Sequence, residues 1–223
     1  MEADIKEKIL SYIRRNRVSS TEVADCLGKA GAIDGVSAVN RGHFAVGPVR
    51  YVYAHSESNW SIHEQVRDVR PGEVVVMDGI EVNGRALVGE LVSKFVLLYR
   101  EAVAIVSLGK LRDANDIIKN NFAVWCAGFT PVGCFNRDVP ETENVRKSVA
   151  ARRRIFDGAI AVCDDTGVTL IPNSELTDQF YGRLVEIEAQ EDYWFNCIDF
   201  RKWDTFDTVC MKKYREDEGG NAI

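Results

Sequence analysis

An α/β fold with parallel pairing at its centre is predicted by three features of the amino-acid sequence. First, Val74-Val75-Val76-Met77, Ala102-Val103-Ala104-Ile105-Val106 and Phe122-Ala123-Val124-Trp125-Cys126-Ala127 are apolar runs too continuous for strands with one wet face, so they read as buried strands. Second, helical signals separate them: Leu87, Leu91, Val92, Phe95, Val96 and Leu98 recur at helical spacing, and a brief helical piece falls at residues 117–121. A β-α-β-α-β series implies parallel strands joined by right-handed crossovers. Third, the second strand leads through Gly109-Lys110-Leu111 into Arg112 and Asp113, with Asp116 three residues on. That places charge at the strand ends where such sheets bind ligands.

The flanking elements follow in order. Ile5, Ile9, Leu10, Tyr12 and Ile13 predict a first helix, with Arg14, Arg15 and Arg17 at the end where cations suit the helix dipole. Ser19-Ser20-Thr21-Glu22 is a helix-start signal, and the helix it opens stops at Gly28. Alternation over residues 42–54 predicts one or two strands, and Ile62 and Val66 mark a short helix from Trp60 to Val69. Arg70-Pro71-Gly72-Glu73 is a turn into the first apolar strand. The segment around Arg152-Arg153-Arg154 reads as a strand or a solvated helical face. Residues 159–163 and 168–172, joined by Asp164-Asp165-Thr166-Gly167, predict a hairpin. Ser174 is expected to cap a long helix carrying Phe180, Leu184, Val185 and Ile187. The remainder is rich in aromatic and charged side chains, including Tyr193, Trp194, Phe195, Phe200, Trp203, Phe206 and Tyr214, and residues 216–223 are expected to fray.

Composition narrows the function. With 28 basic and 34 acidic residues, the formal charge of −6 offers no global attraction to nucleic acid or anionic membrane. No apolar run approaches a membrane span, and the start Met1-Glu2-Ala3-Asp4 is acidic where a signal peptide is basic, so a cytoplasmic protein is expected. Six scattered cysteines contain no Cys-x-x-Cys pair, so neither zinc nor a redox dithiol is signalled. His43, His55 and His63 lack partner spacing and read as packing or surface residues.

The chemistry concentrates at Arg112-Asp113. A guanidinium fork suits a carboxylate, and an aspartate is a hard oxygen ligand suited to Mg²⁺ or Mn²⁺. If a helix begins near Gly89, its amides add a second anion-binding element, with no side chain there to obstruct approach. A small keto acid fits all three. Arg-Asp neighbours are also common surface salt bridges, and local chemistry alone leaves both readings open.

Six segments in register bear on that choice. They are Ser19 through Asp25, Pro71-Gly72-Glu73-Val74-Val75-Val76-Met77-Asp78, Ala86-Leu87-Val88-Gly89-Glu90-Leu91, Gly109-Lys110-Leu111-Arg112-Asp113-Ala114-Asn115-Asp116, Thr130-Pro131-Val132-Gly133, and Asp164 through Pro172. Together they resemble the regulator of ribonuclease activity A-like family, which includes the 4-hydroxy-4-methyl-2-oxoglutarate aldolases. The family's aldolase motif is a glycine, a spacer of about twenty residues, then Arg-Asp, two residues and an acid. Here Gly89 and Arg112 have 22 residues between them, and Arg112-Asp113-x-x-Asp116 matches in full. The slight excess is expected to be absorbed near Tyr99-Arg100-Glu101 without moving the site.

The resemblance implies an α/β/β/α sandwich with a central mixed, largely parallel sheet, swivelling-domain-like and homotrimeric or hexameric. Residues 1–190 would form a single aldolase-like domain, and residues 191–223 an extension docking on its own or a neighbouring subunit. The implied activity is divalent-metal-dependent cleavage of a 4-hydroxy-2-oxo acid to pyruvate through a stabilised enolate, with oxaloacetate decarboxylation by the same route. By resemblance, Asp113 coordinates Mg²⁺ or Mn²⁺, Arg112 binds the substrate carboxylate, and the amides of Gly89, Glu90 and Leu91 receive the pyruvyl group. Glu90 and Asp116 would hold metal-bound waters or orient Arg112. Glu186, Glu188 and Glu191 are candidates for an acid supplied by a neighbouring chain. Two alternatives stay open: a protein-binding regulator of ribonuclease, and a lyase for a sugar-derived keto acid. The methyltransferase function in an older family name has no glycine-rich loop to support it.

Overall fold

The computed structural model describes residues 2–217, with side chains described for residues 5–215. The fraying expected at residues 216–223 lies, from 218 onward, outside the described residues. The chain forms two compact units, one ending at Thr177 and the other beginning at Asp178.

The first unit contains helices α1 (Glu2–Asn16), α2 (Ser20–Cys26), α3 (Trp60–Gln65), α4 (Glu90–Lys94), α5 (Ala114–Lys119) and α6 (Glu143–Phe156). Its strands are β1 (Ser37–Ala38), β2 (Ala45–His55), β3 (Val74–Ile80), β4 (Ala104–Ser107), β5 (Val124–Cys126), β6 (Ile160–Cys163) and β7 (Val168–Ile171). They make one mixed seven-stranded sheet in the order β1-β5-β4-β3-β2-β6-β7. The three expected apolar runs are β3, β4 and β5, and their pairings, with that of β2 and β3, are parallel. The pairings toward both ends are antiparallel.

Both faces of the central strands are covered, which is why the runs are continuously apolar. Val75, Met77, Ile105 and Val124 pack with Ile62, Leu87, Val92, Val96 and Ile117, residues on or beside α3, α4 and α5. Val74, Val76, Ala104, Val106 and Trp125 pack on the other face with Val145, Val149 and Phe156 of α6. Ala161, Cys163, Val168 and Leu170 of the β6–β7 hairpin join this second core. The sheet is therefore curled: one long strand, β2, pairs β6 through residues 45–48 and β3 through residues 49–55. A single segment lies along both open edges. The Leu170 amide donates to Gly31 O and the Ile33 amide to Val168 O, each at 2.8 Å, while the Val39 amide donates to Val124 O at 2.9 Å. The Trp125 indole on β5 also donates to Asp164 O in the hairpin turn at 2.8 Å.

Local signals mostly produce the expected elements. Ser19 caps α2 and Glu22 completes the capping box. One open reading is decided, and two helices run differently from expectation. The basic segment 152–154 is helical, within α6, because Thr142 caps it and Val145, Val149 and Phe156 bury one face. Helix α5 starts at Ala114, three residues earlier than its apolar residues suggest, because the Asp116 and Ile117 amides already donate to Asp113 O at 3.1 Å each. Helix α4 passes directly into a π turn, Phe95–Tyr99.

The second unit consists of α7 (Asp178–Asp199), a π turn at Phe206–Cys210 and α8 (Tyr214–Asp217). Helix α7 starts at Asp178 rather than after Ser174, since residues 173–175 form a 3-10 turn following Pro172. Tyr193 stacks on Tyr214 at 5.9 Å, and the Trp203 amide donates to Cys197 O at 3.0 Å. None of the described helices is long and apolar enough to cross a membrane. Among the described residues the six cysteines form no disulfide; four are buried, Cys134 is half-buried and Cys210 exposed.

Candidate functional site

Two crossover connections meet beyond the ends of β3 and β4. The Leu87 amide donates to Lys110 O at 2.8 Å and the Arg112 amide to Val88 O at 3.0 Å, so residues 87–89 run beside residues 110–112. That pairing brings the first residue of α4 against Asp113. The Glu90 amide donates to Asp113 Oδ2 at 3.1 Å, satisfying one of the amides a helix start leaves unpaired. Gly89 is required for this approach: a Cβ there would lie 2.0 Å from Asp113 Oδ2 and 2.8 Å from Arg112 Cγ. The buried Ser93 hydroxyl donates to Gly89 O at 3.0 Å and holds the cap from below.

Asp113 has left-handed backbone geometry, φ 60 and ψ 40. This costs a non-glycine residue about 1–2 kcal/mol, somewhat less for Asp. Its ion pair with Arg112 does not offset that cost, because Nε and Oδ2 are 3.6 Å apart on side chains 52% and 41% exposed, a geometry worth about 0–1 kcal/mol. A strained backbone that presents an exposed carboxylate beside an arginine is a feature found at functional sites.

The loop after β5 closes a third side. The Leu111 amide donates to Gly128 O and the Thr130 amide to Leu111 O, both at 2.9 Å. Ala86 then bridges to Gly133, where a Cβ would stand 2.8 Å from Arg112 Nη1. The Thr-Pro-x-Gly segment thus has a purpose that its sequence did not state: it lets the loop lie against the Arg112 guanidinium. Arg85 Nη1 donates to Gly133 O at 3.1 Å, and Asn59 Nδ2 donates to Leu87 O at 2.8 Å. Neither Arg85 nor Asn59 stood out in the sequence, since each is a single polar residue without a spacing pattern, and only the loop packing gives them their place.

Of the residues picked out by sequence, Gly89, Glu90, Arg112 and Asp113 are brought together. Leu91 is 76% exposed on α4, and its position in the first turn of the helix keeps its backbone near the cluster. Asp116 lies one turn into α5, its amide donating to Asp113 O at 3.1 Å, with its side chain exposed. Among the described residues no three His, Cys, Asp or Glu side chains are grouped to hold a metal. The donor set fits Mg²⁺ or Mn²⁺ nonetheless, because those ions are commonly held by one or two carboxylates, with water and substrate oxygens completing the shell. The exposed Asp113 carboxylate is such a donor.

A second polar cluster sits on the opposite face of the sheet. Tyr51 donates to Asp78 Oδ2 at 3.0 Å, Arg152 Nε is 3.2 Å from the same oxygen, and Tyr51 stacks on Phe156 at 5.3 Å. Burial, then the neighbouring Asp78 carboxylate, pushes the Tyr51 hydroxyl far above its ordinary pKa. The basic run is therefore partly engaged in packing α6 on the sheet. The carboxylate of Asp78 is held on all sides by protein and serves that packing.

Comparison with known proteins follows the same outline. Residues 20–170 match the family profile described as RraA-like, aldolase/RraA. A curated relative from Halalkalibacterium halodurans, named "Putative 4-hydroxy-4-methyl-2-oxoglutarate aldolase", is 27% identical over 167 residues, 71% of this chain and 74% of that protein. Among solved structures, an uncharacterized protein of Pseudomonas syringae superposes with a TM-score of 0.69 at 19% identity, over 92% of this chain and 94% of that one. Streptomyces coelicolor RraAS2, described as an unusual member of the RNase ES inhibitor RraA protein family, superposes with a TM-score of 0.58 at 22% identity, over 79% and 91%. At these identities the structural likenesses establish the fold. The profile match extends from the start of α2 into β7 and takes in the whole Gly89–Asp113 site, and by it the chain belongs to the RraA-like, aldolase/RraA family.

Proposed function

We propose that the protein is a divalent-metal-dependent carbon–carbon lyase that cleaves a 4-hydroxy-2-oxo acid, such as 4-hydroxy-4-methyl-2-oxoglutarate, to release pyruvate, and that decarboxylates oxaloacetate through the same enolate. One juxtaposition carries this reading: the α4 start, Arg112 and the Asp113 carboxylate converge at a glycine that leaves no room for any side chain. Family membership and the name of the relative support it.

Asp113 would hold the Mg²⁺ or Mn²⁺, which when bound supplies a Lewis acid for the substrate's keto oxygen. Arg112 pairs with the substrate's carboxylate through its fork and faces the charge that develops beside it. The first amides of α4 orient the pyruvyl portion, while Glu90 and Asp116 orient Arg112 or water. During cleavage the C4 hydroxyl gives its proton to water in the site and C4 leaves as a carbonyl compound; the electron pair of the broken C3–C4 bond passes into the pyruvate enolate, which takes a proton back from water at C3. No lysine Schiff base is needed.

Pyruvate release and oxaloacetate loss, followed with Mg²⁺ or Mn²⁺ and with chelator, test the reading directly. Activity that chelator removes and metal restores is expected, and no turnover of either compound by the metal-loaded protein would discard it. Asp113→Asn is expected to lower kcat by about a thousandfold, on the scale of removing a fixed transition-state charge, and to abolish Mg²⁺ binding by calorimetry. The family also supports a second reading, a protein-binding regulator of ribonuclease. Retention of a ribonuclease by the immobilised protein, with no lyase activity, would favour it. A trimer or hexamer is proposed on the same family basis, and sedimentation measures it.

A further inference from the structure

A second arginine converges on the glycine that lies against Arg112. Arg85 Nη1 donates to Gly133 O, and the Cβ position of the same residue is 2.8 Å from Arg112 Nη1. One glycine therefore separates the two guanidinium groups. With the covalent reach of that residue added, their Nη1 atoms lie within roughly 9 Å of each other. The terminal carboxyl carbons of an extended five-carbon diacid are about 5 Å apart. Allowing about 2.8 Å for a charged hydrogen bond at each end, such a molecule reaches both groups.

Arg85 is built to stay in place. Its side chain is 23% exposed, its Cζ lies 4.4 Å from the Phe135 ring centroid, and its Nε is 3.3 Å from Glu57 Oε2. These contacts engage Nε and Nη1 of a fork that carries five N–H donors. Arg137 lies over the same ring at 4.8 Å and adds a second positive charge. Arg85, Arg112 and Arg137 thus lie on or against the loop that carries Gly133 and Phe135, with Glu57 paired to Arg85 and Asp113 beside Arg112.

Resting on the lyase reading, we propose that Arg85 is the specificity-determining residue that reads a second carboxylate, so that the site selects 2-oxo dicarboxylic acids over monocarboxylic acids of the same length. Arg112 takes the carboxylate beside the keto group, Arg85 takes the distal one, and Glu57 limits how tightly the distal group is held.

The test pairs 4-hydroxy-2-oxoglutarate with 4-hydroxy-2-oxopentanoate, which release the same pyruvate and differ in a carboxylate against a methyl group. Binding of the uncleavable 2-oxoglutarate and 2-oxopentanoate to the magnesium-loaded protein is measured in parallel. The wild-type protein is expected to favour the dicarboxylate by about 10- to 100-fold in kcat/KM and in affinity, the range of one charged hydrogen bond. In Arg85→Gln that ratio is expected to collapse toward one. Glu57→Gln separates recognition from loss of the ion pair: it is expected to hold or raise the ratio, whereas an equal collapse would overturn the proposal. A wild-type ratio near one, or an unchanged ratio in Arg85→Gln, would also overturn it while leaving the lyase reading standing. No pyruvate from either substrate, with no binding of either analogue, overturns both.

Discussion

Gly89 is the residue on which the site depends most. A methyl group there would meet the Asp113 carboxylate at 2.0 Å, and that carboxylate must then swing away from the Glu90 amide and from Arg112. The backbone at Gly89, φ −131 and ψ −158, is open to alanine, so the cost falls on the Asp113 and Arg112 side chains, which must shift. Gly89→Ala is therefore expected to lower pyruvate release at least a hundredfold while unfolding free energy, from urea titration, falls by about 1–3 kcal/mol. A large stability loss with proportionate activity loss would instead make Gly89 a structural glycine. Asp113 was legible from its place in Arg-Asp-x-x-Asp; its left-handed backbone was not, since nothing local signals a strained aspartate at a helix cap.

At the scale of elements, the two edges of the curled sheet are tied by one segment and by one side chain, Trp125, whose indole donates to the backbone Asp164 O at 2.8 Å. The Asp164 carboxylate makes a different link. Asp164 accepts from the Ser20 amide and hydroxyl at 2.7 Å each, and from the Thr166 amide at 2.9 Å. It joins the start of α2 to the hairpin turn. Asp164→Ala leaves those donors without the carboxylate, and an unfolding free energy lower by about 2–4 kcal/mol is expected in urea titration. A change under 0.5 kcal/mol would show that α2 is held to the hairpin by other contacts. Helix α4 runs on into a wider π turn, in which the Arg100 amide donates to Phe95 O at 3.0 Å, and Glu101 takes φ 56 at the helix-to-strand corner.

Across the whole molecule, the packing of β2 leaves a pH signature. Burial, followed by the hydrogen bond to Glu141, pushes the Tyr53 hydroxyl up to about 12, and Tyr51 is raised further. Both folded values exceed the ordinary value near 10, so the unfolded chain releases these protons first. Their contribution is fully present below pH 10 and is lost as pH rises toward 12. Urea titrations from pH 9 to 12 should show wild-type stability falling more steeply than that of Tyr53→Phe, which retains the ring and removes the proton. Parallel slopes would refute the assignment. In the second unit, Phe195, Phe200 and Phe206 are each more than 60% exposed.

The sequence by itself determined the class of fold, because three continuous apolar runs can be covered only on both faces, and period and capping signals placed nearly every element. It also determined the chemistry on offer at Gly89 and Arg112-Asp113, since a fork, a hard carboxylate and a side-chain-free helix start keep their character in any fold. Tertiary structure alone decided that these lie within hydrogen-bonding reach, because the 87–89 and 110–112 pairing joins residues more than twenty positions apart. It alone brought Gly133 against Arg112 and Arg85 onto the Gly133 carbonyl, through a loop whose backbone partners are non-local. It also decided the curl of the sheet. Strand period specifies which face is buried; how far a sheet bends depends on what ties its edges, and here the tie is the 31–39 segment and the Trp125 indole, which reaches the hairpin turn.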